Sequence, residues 1–195
     1  MQLDVCCGNG RHARALCERG YTVIAIDRDV AAIATARDRD AGASYIVADI
    51  REYESQPESF DAAIIMGQSF GHFDDATNRK ILSSLAGAVR NSGRIILDVW
   101  NPEFFAAHQG RRDLNSSRGI VHENKRVTGD RLFVELDYPD GTGEKFEWQL
   151  FEAEEMERFG NALGLRLLIA CSGFDAKNIR SPNHPRIQFV LQRVN

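Results

Sequence analysis

The sequence predicts an α/β fold built on a mostly parallel sheet. Two observations carry that reading. Short apolar, β-branched runs alternate with segments of helical periodicity through the first two thirds of the chain. The first of these runs leads into a glycine turn, Cys7-Gly8-Asn9-Gly10, that opens a helix. Strands separated by helices of this length pair in parallel through right-handed crossovers.

Each element follows from its own residues. Residues 2–6 are a short apolar run, read as a strand. Residues 11–19 carry Ala13, Leu16 and Cys17 at helical spacing, and Gly20 ends the helix. Residues 22–26 form a β-branched strand, and Asp29 is placed to cap a helix running to about residue 39. Residues 45–47 and 62–66 read as the third and fourth strands, residues 78–89 as a helix and residues 94–99 as the fifth strand. The rhythm then changes. Residues 118–151 hold no helical pattern but contain Thr128-Gly129-Asp130 and Pro139-Asp140-Gly141, turn signals between strand-like runs. They predict a small antiparallel excursion, residues 118–151, from the α/β body. Met156, Phe159 and Leu163 mark a further helix stopped by Gly164, and residues 165–170 and 187–192 read as two final strands.

Composition narrows the function. With 195 residues the chain suffices for one domain, 1–195, with a proper core. An apolar share of 43% and a charged share of 27% argue against disorder. A net charge of -4 offers no basic face, so nucleic acid is not the expected partner. No apolar run approaches the roughly 20 residues needed to cross a bilayer, and no secretory leader is evident. Cys6, Cys7, Cys17 and Cys171 form no Cys-x-x-Cys pair, so no metal site is expected and the thiols read as small hydrophobes in a reducing compartment. The expectation is a soluble, cytoplasmic protein without membrane or nucleic-acid partners, of undetermined oligomeric state.

The most informative stretch is Leu3-Asp4-Val5-Cys6-Cys7-Gly8-Asn9-Gly10. Gly8 and Gly10 allow close backbone approach to a ligand, and the helix that follows offers free N–H groups. Asp4, inside the strand end, would repel a pyrophosphate but suits an ammonium or sulfonium group. Asp27 closes the next strand, where an acid can accept bonds from both hydroxyls of a ribose. Asp49 closes the third. The spacing matches one strand–helix unit each, which puts all three acids on the rim where open α/β sheets bind ligands.

This pattern resembles the class I S-adenosylmethionine-dependent methyltransferases, over nearly the whole chain. Residues 3–10 match the family's glycine motif, Asp27 its ribose-binding acid, and Ala48-Asp49-Ile50 its adenine-flanking segment. Residues 60–73, FDAAIIMGQSFGHF, are similar to the fourth-strand motif of a small-molecule subgroup, and Gly173-Phe174-Asp175 followed by Ser181-Pro182 is similar to that subgroup's tail. The resemblance implies a Rossmann-like, doubly wound, seven-stranded sheet of order 3-2-1-4-5-7-6 with the last strand antiparallel. It implies S-adenosyl-L-methionine as cofactor and a small-molecule acceptor. Asp4, Gly8, Gly10, Asp27, Arg28, Asp49, Ile50, Met66 and Gly67 would then contact the cofactor. Cys6 stands where the motif has its first glycine, and Met1 lies almost at the first strand, where members usually carry several helices. An incomplete start and a minimal form with an open cofactor site are the two alternatives there.

The segment after the fourth strand is where methyl acceptors sit in that family. Gln68 and Ser69 can hydrogen-bond, and His72 is the candidate catalytic base toward an amine or hydroxyl. Trp100 and Asn101 are candidates to line the acceptor pocket, as are Glu123, Arg126, Glu135 and Tyr138 from the excursion. Two rival readings stand beside this one. Gly8-x-Gly10-x-x-Ala13 with Asp27 also suits a nicotinamide-dependent oxidoreductase. A non-catalytic S-adenosylmethionine or S-adenosylhomocysteine binding module is the other.

Overall fold

The computed structural model describes residues 1–39, 42–177 and 180–194. The strands are β1 (Gln2–Val5), β2 (Val23–Asp27), β3 (Ser44–Val47), β4 (Phe60–Ile65), β5 (Val89–Trp100), β6 (Gly110–Ser116), β7 (Gly119–Thr128), β8 (Arg131–Asp137), β9 (Gly143–Gln149), β10 (Leu165–Cys171) and β11 (Arg186–Arg193). The helices are α1 (Arg11–Cys17), α2 (Val30–Arg39), α3 (Asp75–Ala88), α4 (Pro102–Ala107) and α5 (Ala153–Asn161).

Seven strands form one sheet in the order β10-β11-β5-β4-β1-β2-β3. Counting those seven alone, this is the expected 3-2-1-4-5-7-6. The pairs from β3 through β5 are parallel, and β11 runs antiparallel to both β5 and β10. The order reverses at β1, whose neighbours are β2 on one side and β4 on the other, so the switch point of the sheet lies at the glycine turn. The main core joins Leu3, Val5, Ile65, Ile95, Leu97, Phe189 and Leu191 from the sheet to Leu82 and Leu85 of α3 and Met156 of α5. A smaller cluster under α1 and α2 is built from Ala13, Val23, Ala25, Ile33 and Tyr45.

The remaining strands form a separate antiparallel sheet, β6-β7-β8-β9. It starts at Gly110, earlier than the expected 118, and has four strands. β6 escaped the sequence because Arg111, Arg112, Asp113, Asn115 and Ser116 are all exposed on an edge strand and give no alternating pattern. The helix α4 escaped because six residues are too few to show periodicity, although Asn101 caps it by accepting the Glu103 amide and Pro102 follows at its first turn. Most other boundaries moved by one or two residues, and two moved further. The third helix begins at Asp75 and not at residue 78, because the Asp74 carboxylate accepts the Thr77 amide. The fifth strand is entered from Val89, with a bulge before Arg94, because Phe60 pairs with Val89 while Ala62 pairs with Arg94.

Candidate cofactor and acceptor site

The carboxyl ends of β1, β2 and β3 carry the three acids of the motif. Between β1 and α1 the backbone is left-handed at Cys6 (φ 56°), Gly8 (φ 52°) and Gly10 (φ 74°). Cys6 therefore occupies a conformation that favours glycine, as its place in the motif suggests. Gly10 is sterically required as well, since a Cβ there would sit 2.6 Å from the Tyr45 Oη. The turn holds Asp27 in place. Its Oδ2 accepts the Gly8 amide at 2.8 Å and its Oδ1 accepts the Asp29 amide at 2.9 Å. Each oxygen keeps a second lone pair for a ligand hydroxyl.

Asp4 differs. It is 1% exposed, and neither carboxylate oxygen has a hydrogen-bond partner. Burial pushes its pKa from 3.8 up to about 7, with the Ala13 amide pulling the other way and the Asp27 charge adding to the rise. Burial and the nearby carboxylates push the Cys6 and Cys7 thiols up to about 12, so neither supplies a thiolate.

A cavity of about 350 Å³ opens beside this turn. Of the residues singled out in the sequence, Asp27, Arg28, Asp49, Ile50 and His72 line it, together with Cys6, Ser69 and Phe73. Asp4, Gly8, Gly10, Met66 and Gly67 are not among its lining residues; they lie at the ends of β1 and β4 beside it. Asp49 accepts the Arg51 amide and guanidinium, which holds its carboxyl down at about 2. Arg51 in turn lies 5.2 Å over the ring of Phe73, which lines the cavity.

The loop after β4 is fixed from the far side. Gly67 (φ 70°) and Gln68 (φ 62°) are both left-handed. Asp98 of β5, fully buried, accepts the Gly67 amide at 3.2 Å and the Gln68 Nε2 at 2.8 Å through Oδ2. Arg186 donates to the same oxygen at 3.0 Å and Gln188 to Oδ1 at 2.7 Å. No motif in the sequence marks this clasp. The one sequence signal for it is an acid inside the apolar run Ile95-Ile96-Leu97-Asp98-Val99.

His72 meets the second sheet. The Trp148 indole N–H donates both to His72 Nε2 at 3.0 Å and to the Gln68 carbonyl at 3.1 Å. A ring nitrogen that accepts this bond carries no proton, and burial lowers the His72 pKa, so the imidazole is neutral with its Nε2 lone pair engaged. Trp148 continues into an aromatic cluster with Trp100 (centroids 5.8 Å apart) and Phe146, and Trp100 packs on Phe105. The Trp100 indole nitrogen is buried and unpartnered.

The other acceptor candidates are committed elsewhere. Asn101 caps α4 and donates to the Ser181 and His184 carbonyls. Glu123 pairs with Arg112 and Lys125, Glu135 with Lys145, Tyr138 with Glu144, and Arg126 with Thr128. Apart from Tyr138, which follows β8, these side chains lie on strands of the second sheet, and Arg112–Glu123 and Glu135–Lys145 are directly opposed register partners that spacing alone did not show.

Residues 3–93 match a protein family described as a methyltransferase domain. Over that stretch the chain is similar to methyltransferase domains. The match spans β1 into β5, the part that holds the glycine turn and all three rim acids. The methyltransferase fold extends over the rest. A solved S-adenosylmethionine-dependent methyltransferase from Clostridium acetobutylicum superposes with a TM-score of 0.82, covering 100% of this chain and 84% of the other at 16% identity. Among curated proteins, the chain is 27% identical to the glycine/sarcosine N-methyltransferase of Aphanothece halophytica over 75% of its own length. It spans only 54% of that enzyme. It is 28% identical to the dTDP-3-amino-3,6-dideoxy-alpha-D-glucopyranose N,N-dimethyltransferase of Streptomyces fradiae, over 84% of this chain and 69% of the other.

Proposed function

We propose that this chain is an S-adenosyl-L-methionine-dependent methyltransferase acting on a small molecule, with an amine nitrogen as the acceptor atom. The observation that carries the cofactor is Asp4. A carboxylate buried without a donor is costly, and a cationic ligand group beside the turn would relieve that cost. The same residue disfavours a nicotinamide cofactor, whose pyrophosphate would meet it. The names of the two curated relatives support nitrogen as the methylated atom, since both are N-methyltransferases.

In this reading Asp4 faces the amino group of the cofactor, Gly8 and Gly10 pass beneath it, and Asp27 accepts its ribose hydroxyls. Arg28, Asp49 and Ile50 flank the base, and Met66 and Gly67 border the reacting end. The bound cofactor supplies an electrophilic methyl group on a sulfonium. The protein's part is to align acceptor and methyl and to exclude water. The Asp98 clasp fixes the Gly67–Gln68 loop for that alignment, and the second sheet covers the acceptor side through Trp148. His72, neutral and held by Trp148, serves this reading better as a wall of the acceptor site than as its base. A neutral amine needs no base to attack.

The net charge of -4 supports a small acceptor over a nucleic acid. No described helix is long and apolar enough to cross a membrane. The free thiols of Cys6, Cys7 and Cys171 support a reducing, cytoplasmic setting. The test is methyl transfer from labelled S-adenosyl-L-methionine to a panel of primary and secondary amines, amino acids and amino sugars included. Label appearing on nitrogen supports the reading. Label appearing only on hydroxyl or thiol compounds would replace nitrogen as the acceptor atom.

A further inference from the structure

Asp4 sits in an apolar frame. In the sheet it pairs with Ala25 of β2 and Ile64 of β4, neither of which can titrate or donate from its side chain. The groups that face it are the Cys6 and Cys7 thiols from its own strand end, the Asp27 carboxylate from β2 and the Ala13 amide from α1. Both thiols stay neutral, so the charged neighbour is an acid. No ion pair of the described residues includes Asp4, and both its oxygens lack donors. Among the described residues no cation compensates a negative charge there, and the Ala13 amide is the one group that favours it.

We propose that Asp4 holds a proton while the site is free and releases it when the cofactor binds, so that a proton and the cofactor's amino group compete for one buried carboxylate. This rests on the S-adenosylmethionine reading above. The balance is simple: the carboxylic O–H bond breaks, the proton leaves to the buffer, and the carboxylate left behind pairs with the ammonium. The rise of the Asp4 pKa to about 7 places the competition in the physiological range. Affinity for the cofactor then increases with pH up to about pH 7 and levels off above it.

The experiment is calorimetric titration of the full chain with S-adenosylhomocysteine. It is run at about pH 6, 7 and 8, each in two buffers of different ionisation heat. The expected result is release of nearly one proton at the lowest pH, about half at pH 7 and little at pH 8, with roughly tenfold tighter binding across the range. 5′-Methylthioadenosine, which lacks the amino-acid end, binds without proton release. Asp4→Asn removes both the release and the pH dependence for S-adenosylhomocysteine. If that variant does not fold, the comparison of the two ligands on the native chain decides. S-Adenosylhomocysteine that binds with the same heat in both buffers and the same affinity at every pH overturns the proton coupling and leaves the cofactor reading intact. Neither ligand binding at millimolar concentration removes the cofactor reading and the coupling with it.

Discussion

Two carboxylates are hidden equally at the ends of strands that flank β4, and they are treated in opposite ways. Asp98 on β5 is fully buried and accepts from Gly67, Gln68, Arg186 and Gln188. Asp4 on β1 is 1% exposed and accepts from nothing. Burying a charge is tolerated when donors surround it and is costly otherwise. The contrast separates scaffold from site. Asp98 serves the protein's own loop, whereas Asp4 has no such partner, and in the proposed reading the cofactor's amino group supplies one.

The sharpest way to break the contrast is neutralisation of Asp4. A carboxyl whose native pKa is raised from 3.8 to about 7 keeps a proton that the unfolded chain gives up between those values. Stability therefore falls as pH rises from about 4 to about 7, and the loss is complete above that. Asp4→Asn is expected to stabilise the ligand-free protein by up to about 4 kcal/mol at pH 8 and hardly at all near pH 4. Urea denaturation at the two pH values measures it; no gain at pH 8 would mean that the charge is compensated after all.

The opposite sign is expected at Asp98. Asp98→Ala strips the acceptor from Gln68, Gln188 and the Gly67 amide, and should cost about 3 kcal/mol in the same denaturation measurement. Arg186 is partly exposed and can rehydrate, so the buried amides account for most of that loss. A cost below about 1 kcal/mol would show that the clasp is not needed to hold the loop. Gly10→Ala tests the turn between these regions. With φ 74° and Tyr45 in the path of a Cβ, it should cost about 2 kcal/mol by thermal denaturation. The smallest effect is expected at the junction of the two sheets. His72→Phe removes the bond to Trp148 and should cost about 1 kcal/mol while leaving S-adenosylhomocysteine affinity unchanged. A large loss of affinity would move His72 from the acceptor side to the cofactor side.

The same contrast explains what could be read from the sequence. The parallel strands, their helices and the glycine turn are local, since periodicity and two glycines announce them. The position of Asp27 was legible because Gly8, which holds it, sits in a recognisable motif. Asp98 was not, because its partners Arg186 and Gln188 lie in β11, far along the chain. The link between His72 and Trp148 joins two sheets and leaves no trace in spacing. The polar edge strand β6 and the six-residue α4 carry too little pattern to be seen. What was missed is held together by contacts between distant segments.

Cofactor binding at the acids of β1 and β2 decides what this protein does. Calorimetric titration of the chain and of Asp27→Ala with S-adenosylhomocysteine, side by side at pH 8, tests it. The expected result is a dissociation constant on the order of micromolar for the chain, weakened more than tenfold, about 1.4 kcal/mol, in the variant. No binding up to millimolar, or equal affinity for both proteins, would contradict it.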